Sequence, residues 1–389
     1  MTTSETAPID RFDPNDEPLP FLNNFQDVFL SIGVIVFLVG IMILMTMTSS
    51  SIANETSAIT AMAVMCAVVL AIVWWLSEIL VRRRRRILPG IVLFIAFVQL
   101  CIGLYGSGFA LIFGEETVSQ FENGEYPGFD ESVFEGAEPT DKNFRAAANM
   151  AVAAIPLMAK IFMLGLPLAT LLASYFYYRR FKLPFSVAGV ATAAIGLLIV
   201  SLFFAFPYDV VRFAPVVLLS SGLALLVAGI VYDMKDPERV TRFSGNGFWL
   251  HLFAAPLTLW GAMTISTQGL IVDFPALAEG NFTDFKNPFT VQQSIVTLCI
   301  IAVFGVISLL LNRRALVVSG LVTAGIAIGV IVQATGIGGA GVAAVTMICL
   351  GGGILLLGIG WNAARRALLS MVPSAGIWGR VFPRNEVDG

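Results

Sequence analysis

Ion-pair and proton chemistry needs acids, bases and a group that titrates near neutral pH, and one stretch of the chain supplies all three. Residues 233–242 read DMKDPERVTR, with Asp233, Asp236 and Glu238 set among Lys235, Arg239 and Arg242. The only histidine, His251, follows in an apolar run that opens FWLHLFAAP. Histidine alone among side chains ordinarily changes charge between pH 5 and 8. The first candidate site is therefore an inner gate made of Asp233, Asp236, Arg239 and Arg242, in which carboxylates pair with guanidiniums and lock a helical hairpin. Exposed pairs contribute only about 0–1 kcal/mol, so such a gate would act through its position at a cavity mouth.

Helical spacing from His251 gives the second candidate. His251, Ala255, Thr258, Ala262 and Ser266 form one stripe of small or polar groups, and Gln268 extends it toward the far end. In lipid, small and hydroxyl residues face other helices or a wet cavity, while bulky residues face the acyl chains. The stripe is read as a solute-binding face, with Pro256 bending the helix beside it. The competing structural reading is that His251 bonds a neighbouring loop or helix end. Ser244 or Asn246 is expected to cap the start of this helix.

The elements that position these residues follow from composition. Of 389 residues, 57% are hydrophobic and 13% charged, about half the charge of a soluble domain. Ten apolar segments are long enough to cross a bilayer, near 28–48, 57–77, 88–113, 154–176, 186–206, 210–231, 248–270, 292–311, 316–336 and 340–361. Lipid offers no hydrogen bonds, so the spans must be helices or a closed barrel, and the alternating pattern of a barrel is absent. The expected fold is all-α, a polytopic transmembrane helix bundle. Eighteen of the 23 Lys and Arg residues fall on one side, four on the other, and Lys160 lies within a span. The positive-inside rule then places both termini in the cytoplasm. The domain plan is a disordered tail over 1–20, the ten-helix domain over 21–370 and a cytoplasmic tail over 371–389. No cleavable signal peptide is expected.

On the opposite side, residues 114–148 form a long loop. Nine acids and two bases lie between Glu115 and Arg145, and five aromatic residues suit part of it to cap the outer face. Lys160 is expected near the outer interface, where its ammonium can reach water. The triple glycine at 351–353 is read as a close-packing surface or an unwound turn. On the basic side, Arg82, Arg83, Arg84, Arg85 and Arg86 suit anionic lipid head groups. Membrane lipids are thus the expected partners, with a small-molecule solute besides. Nucleic acid is not needed to explain the basic runs, and the sequence leaves the oligomeric state open.

Catalytic signatures are lacking. The chain holds no HExxH, no P-loop and no dinucleotide fingerprint. Its four cysteines lie in apolar spans without ligand spacing, so neither a metal nor a cofactor is expected. Ser107, in YGSG, sits at the opposite membrane face from His251 and leaves no Ser–His pair. An enzyme acting on lipid would have to use Asp233, Arg239, Arg242 and His251, and that reading ranks last. The favoured function is a carrier for a small neutral or amphipathic solute, through a cavity lined by spans 7, 9 and 10. The alternative is a non-transporting scaffold or sensor.

The stretch DPERVTR followed by FWLHLFAAP, within residues 236–256, resembles a hairpin motif of bacterial multi-pass inner-membrane proteins that carry no assigned activity. The resemblance is confined to this hairpin and implies a bacterial inner-membrane setting with no substrate. The ten-span plan is also similar to that of drug/metabolite-type transporters, but this chain is longer and their motifs do not map onto it.

Overall fold

The computed structural model describes residues 25–114, 140–236, 242–270, 290–318 and 320–373, together with Gly376, Val381 and Phe382. Residues 1–20 and most of the acidic loop lie outside the described residues. Every described element is helical, as expected where lipid leaves the backbone to satisfy its own polar groups.

Helices α1 (Phe25–Ser50), α2 (Glu55–Ser77), α3 (Ile87–Phe113), α5 (Leu157–Phe181) and α6 (Pro184–Ala205) form the first group; α4 (Asp141–Ala154) precedes α5. A short α7 (Pro207–Arg212) leads into α8 (Ala214–Met234) and α9 (Arg242–Gln268). The last group is α10 (Val291–Leu311), α11 (Ala315–Val318), α12 (Leu321–Gln333) and α13 (Gly339–Leu369). Ten of these helices, α12 counted from Leu316, are long and apolar enough to cross a membrane. The chain is an integral membrane protein built as a multi-pass helical bundle.

Local sequence sets the helix ends. Asn54 caps α2 by accepting from the Ser57 amide at 2.9 Å, and Thr290 forms a reciprocal capping box with Gln293. At 154–156 the chain turns at Ile155 and Pro156, so the fourth span starts at Leu157 and α4 is a separate helix. Lys160 falls in the first turn of α5 and its Nζ reaches the Ala153 carbonyl at 3.4 Å. The ninth span is described in two pieces, α11 and α12, and Ser319 between them lies outside the described residues. Helix α9 starts at Arg242, earlier than expected. Ser244 and Asn246 therefore lie inside it, and both are buried and do not cap it. Helix α13 runs unbroken through Gly351, Gly352 and Gly353, and a methyl group added at any of them would meet nothing within 4 Å. Neither expectation for the triple glycine holds among the described residues.

Helix α9 is the centre of the bundle. It packs on α6, α8, α10 and α11, while α12 and α13 pack on α10 and on each other. Aromatic rings fill the first group near its basic end: Trp74, Phe94, Phe97, Tyr177, Phe181 and Phe185 make a chain of edge-on and tilted contacts. Tyr177 is fully buried and its hydroxyl bonds Ser77 at 3.0 Å.

The α8–α9 hairpin is the closest pairing, and glycine makes it so. A Cβ on Gly222 would lie 2.4 Å from the Thr258 amide nitrogen, and one on Gly261 2.4 Å from that of Leu219. A Cβ on Gly229 would lie 2.8–3.0 Å from three atoms of the His251 ring, and one on Gly247 2.1 Å from Asp233 Oδ1. The four pairs keep a strict antiparallel register. Steps of three, seven and four residues along α8 are matched by equal steps back along α9. At each level one partner is glycine, which allows backbones to approach as small residues do in membrane helix pairs. Gly222→Ala is expected to destabilise the protein by about 1–3 kcal/mol, the range for overpacking, because the obstacle is backbone. Gly353→Ala should leave stability unchanged or slightly raised. Thermal unfolding of the two variants in detergent checks this.

Candidate functional site

The hairpin register delivers Asp233 and His251 to one point at the basic end of the bundle. His251 Nε2 lies 3.0 Å from Asp233 Oδ2. The third partner comes from the last helical group. Arg313 donates from Nε to Asp233 Oδ2 at 3.0 Å and from Nη2 to Asp233 Oδ1 at 2.5 Å. The same Nη2 reaches the Ser244 carbonyl at 3.2 Å and its hydroxyl at 3.3 Å. The Arg313 side chain is 2% exposed, that of Asp233 14%, and that of His251 0%. This two-pronged fork on a carboxylate is the strong form of an ion pair.

The chain around Arg313 is shaped to present it. Asn312 takes a left-handed conformation at φ 52° and ends α10. The Ser308 hydroxyl donates to the Arg313 carbonyl. Asn312 Oδ1 accepts from Trp361 Nε1 of α13 at 2.9 Å, and the Arg314 guanidinium stacks 5.4 Å from the Trp361 ring centre. Three consecutive residues thus join α10 to α8, α9 and α13.

Charge counting constrains the histidine. An ionised carboxylate only accepts, so the proton between His251 and Asp233 sits on Nε2. Arg313 already neutralises Asp233, and a second proton on the ring would give this group of three a net positive charge. Among the described residues, His251 Nδ1 and both amide atoms of Asn246 are buried without a hydrogen-bond partner.

The sequence-read stripe divides along its length. His251, Ala255 and Thr258 are 0–1% exposed. His251 and Thr258 face α8 through Gly229 and Gly222, and the Thr258 hydroxyl donates back to Ala254 and Ala255 carbonyls. Ala262 is half-buried and Ser266 exposed. The side chains of Gln268 and Arg242, and all of Arg239, lie outside the described residues. Asp236 is buried. Of the residues expected at the gate, the structure joins Asp233 to His251, the first residue of the expected solute-binding face, and adds Arg313 and Ser244. Beside them, Val381 and Phe382 of the C-terminal tail pack against a cluster that includes Leu250, Leu311 and Leu316.

A second polar group lies at the far end, where α4 docks on α7. Arg212 pairs with Asp141, Arg145 with Asp209 at 2.7 Å, and the Tyr208 hydroxyl donates to Asp141 at 2.7 Å. Both guanidiniums also stack on the Tyr208 ring, at 5.0 and 5.5 Å. The hydrogen bond from Tyr208, then that from Arg212, hold the Asp141 carboxyl below its ordinary range. Among the described residues no cluster of three or more His, Cys, Asp or Glu could hold a metal ion. Comparison with known protein families, with curated proteins and with solved structures gives no match for this chain.

Two tests follow. Asp233→Asn and Arg313→Gln are each expected to lower the unfolding free energy by about 3–5 kcal/mol, since each leaves a buried group unpaired. The double variant should lose less than their sum, and Lys235→Gln, at an exposed neighbour, less than about 0.5 kcal/mol; a double-mutant cycle reads all of these. For the far clasp, a depressed carboxyl contributes above its ordinary range and is lost as pH falls through the lowered value. Protection of α4 amides from hydrogen exchange, taken relative to the intrinsic rate at each pH, should therefore fall at acid pH and in high salt, and Asp141→Asn should show the low protection at neutral pH.

Proposed function

We propose that the protein is a carrier for a small neutral or amphipathic solute in a bacterial inner membrane, with both termini cytoplasmic and the Asp233, His251 and Arg313 cluster as its inner gate. One observation carries the reading. The last helical group meets the rest of the bundle mainly at α9, and among the described residues Arg313 makes a buried polar link across that junction, to Asp233 and to Ser244. A buried ion pair is weak evidence of stabilisation, because desolvation offsets its attraction. Ionisable groups within membrane segments mark function by default. A joint of this kind holds while paired and releases when its charge balance changes.

His251 supplies the change. Its Nε2 and Arg313 Nε share the same oxygen of Asp233. Protonation of the ring turns that shared bond into a second ion pair, competes with Arg313 and loosens the link between α10 and the α8–α9 hairpin. In the cytoplasmic orientation this opens the inner end, along the junction between α10 and the α8–α9 hairpin. The scarcity of other buried acids along the spans fits a neutral solute better than a chain of proton relays.

A scaffold or sensor is the second reading, favoured by α13. The most apolar window of this 31-residue helix has none of its residues buried inside the bundle, which leaves a long face for lipid or for another membrane helix.

A thermal-shift screen of the purified protein in detergent, across small metabolites, lipids and pH, separates the two. Stabilisation by one solute should saturate, reaching about 2.7 kcal/mol at a hundred times its Kd. It should vary with pH in the wild type and lose that pH dependence in His251→Gln, which keeps a donor for Asp233 without titrating. Stabilisation by lipid alone, the same in the variant, would overturn the carrier and leave the scaffold.

A further inference from the structure

The five consecutive arginines do different work. Arg82 bonds Glu78 at 2.6 Å within its own helix, and Arg86 bonds Asp27 and Gln26 of α1, both at 2.6 Å. These two are structural. Arg83, Arg84 and Arg85 are exposed and make no ion pair among the described residues. The backbone arranges this split. Helix α2 ends in a π-helical turn, Glu78–Arg83, with the Arg84 amide bonded to the Ile79 carbonyl, and Arg85 takes a left-handed φ of 52°. Wide turns of this kind recur at functional sites, and a left-handed arginine is held there by its surroundings.

A second basic turn lies alongside. Arg180, in the last turn of α5, bonds Glu78 and so clasps the α5–α6 turn to the α2–α3 turn. Val81 and Leu183, one from each turn, meet over Gly90 of α3, where a Cβ would lie 3.1 Å from one and 3.2 Å from the other. Lys182 is also left-handed, at φ 53°, and both Arg179 and Lys182 are exposed without an ion pair among the described residues. Five exposed cations therefore lie on the two turns that Glu78 joins through Arg82 and Arg180.

Aromatic residues give the patch its depth. Trp75, Tyr175 and Phe176 are 62%, 44% and 57% exposed, and lie two to three turns back along α2 and one along α5 from these cations. Exposed Trp and Tyr mark the membrane–water interface, so the cations stand at head-group level with apolar and aromatic surface below them. Arginine forks match phosphate oxygens in pairs. A free phosphate would use only the cations; a phospholipid would use cations and apolar flank together. We infer that Arg83, Arg84, Arg85, Arg179 and Lys182 form a docking surface for the head group of an anionic phospholipid, with its acyl chains against Trp75 and Phe176. This site is independent of the carrier reading, since it touches none of the gate residues.

The test uses the full-length protein in detergent with added phosphatidylglycerol or phosphatidylcholine, scored by native mass spectrometry of retained lipid. Wild type should retain phosphatidylglycerol at least tenfold better than phosphatidylcholine. A variant with Arg83→Gln, Arg84→Gln, Arg85→Gln and Lys182→Gln should lose that preference about tenfold. Arg85→Gly alone, which suits the left-handed backbone, should fold as well as wild type and still weaken it. Trp75→Ala should reduce retention of both lipids. Equal preference in wild type and both charge variants would overturn the site, and so would displacement of the lipid by millimolar inorganic phosphate, which would assign the cations to a soluble anion.

Discussion

The carboxylate of Asp233 stands at the buried end of α8, and the packing around it follows from the need to keep it paired. A charge in that position is tolerated only with a partner of matching geometry, and the partner comes from the far side of the bundle in Arg313. To deliver that guanidinium, α10 has to stop at Asn312 and the chain has to turn through a left-handed residue. Ser308 and Trp361 then fix the corner from two further directions. One ionised group thus dictates a helix end, a turn and the seating of α13's lower half.

The same carboxylate needs space on α9, and Gly247 provides it. The pattern extends up the hairpin, with a glycine opposite Asp233, His251, Thr258 and Leu219 in turn. Backbones this close convert the hairpin into a single rigid unit, so α8 and α9 move together or not at all. His251 is clamped flat on Gly229 and its hydrogen bond to Asp233 is fixed by packing, not by a flexible side chain finding its partner. Any change in the ring's charge is therefore felt at the carboxylate directly.

How much of this could be read from residues alone differs by scale. Long apolar runs forecast ten spans because hydropathy reports the solvent, and lipid permits little besides helices. Ends were less legible: α9 begins at Arg242 and not near residue 248, because tertiary contacts to Arg313 and Pro184 draw Ser244 and Gly245 into the helix. Asp233 and His251 stood out as rare polar types in an apolar setting. Arg313 did not, since one arginine of an RR pair at a helix end looks like every other topogenic charge. The clue was available in the demand side: an acid one residue inside an apolar span requires a cation from the same face. The glycine register was also written in the sequence, as matched spacings running in opposite directions through residues 219–233 and 247–261. Only the pairing of α8 with α9 shows that these are the positions that touch. The Arg82–Arg86 run shows the reverse problem, where five like residues in sequence serve two structural and three outward roles set by a π-helical turn.

The ends of α8 carry unequal fastenings, and that inequality has a mechanical meaning. At the α7 end the pairs of Asp141, Arg145, Asp209 and Arg212 are partly exposed, from 22% to 55% by side chain, so salt and water compete with them and weaken them. At the Asp233 end the pair is nearly dry, and separating it without replacement costs several times more. Thermal fluctuation therefore loosens the α7 end first, while the Asp233 end stays closed until something replaces Arg313's bonds. In the proposed carrier, access from the acidic face then needs only agitation, and access from the basic face needs a chemical event at His251. A rigid α8–α9 unit held weakly at one end and conditionally at the other would open one face at a time without any further moving part.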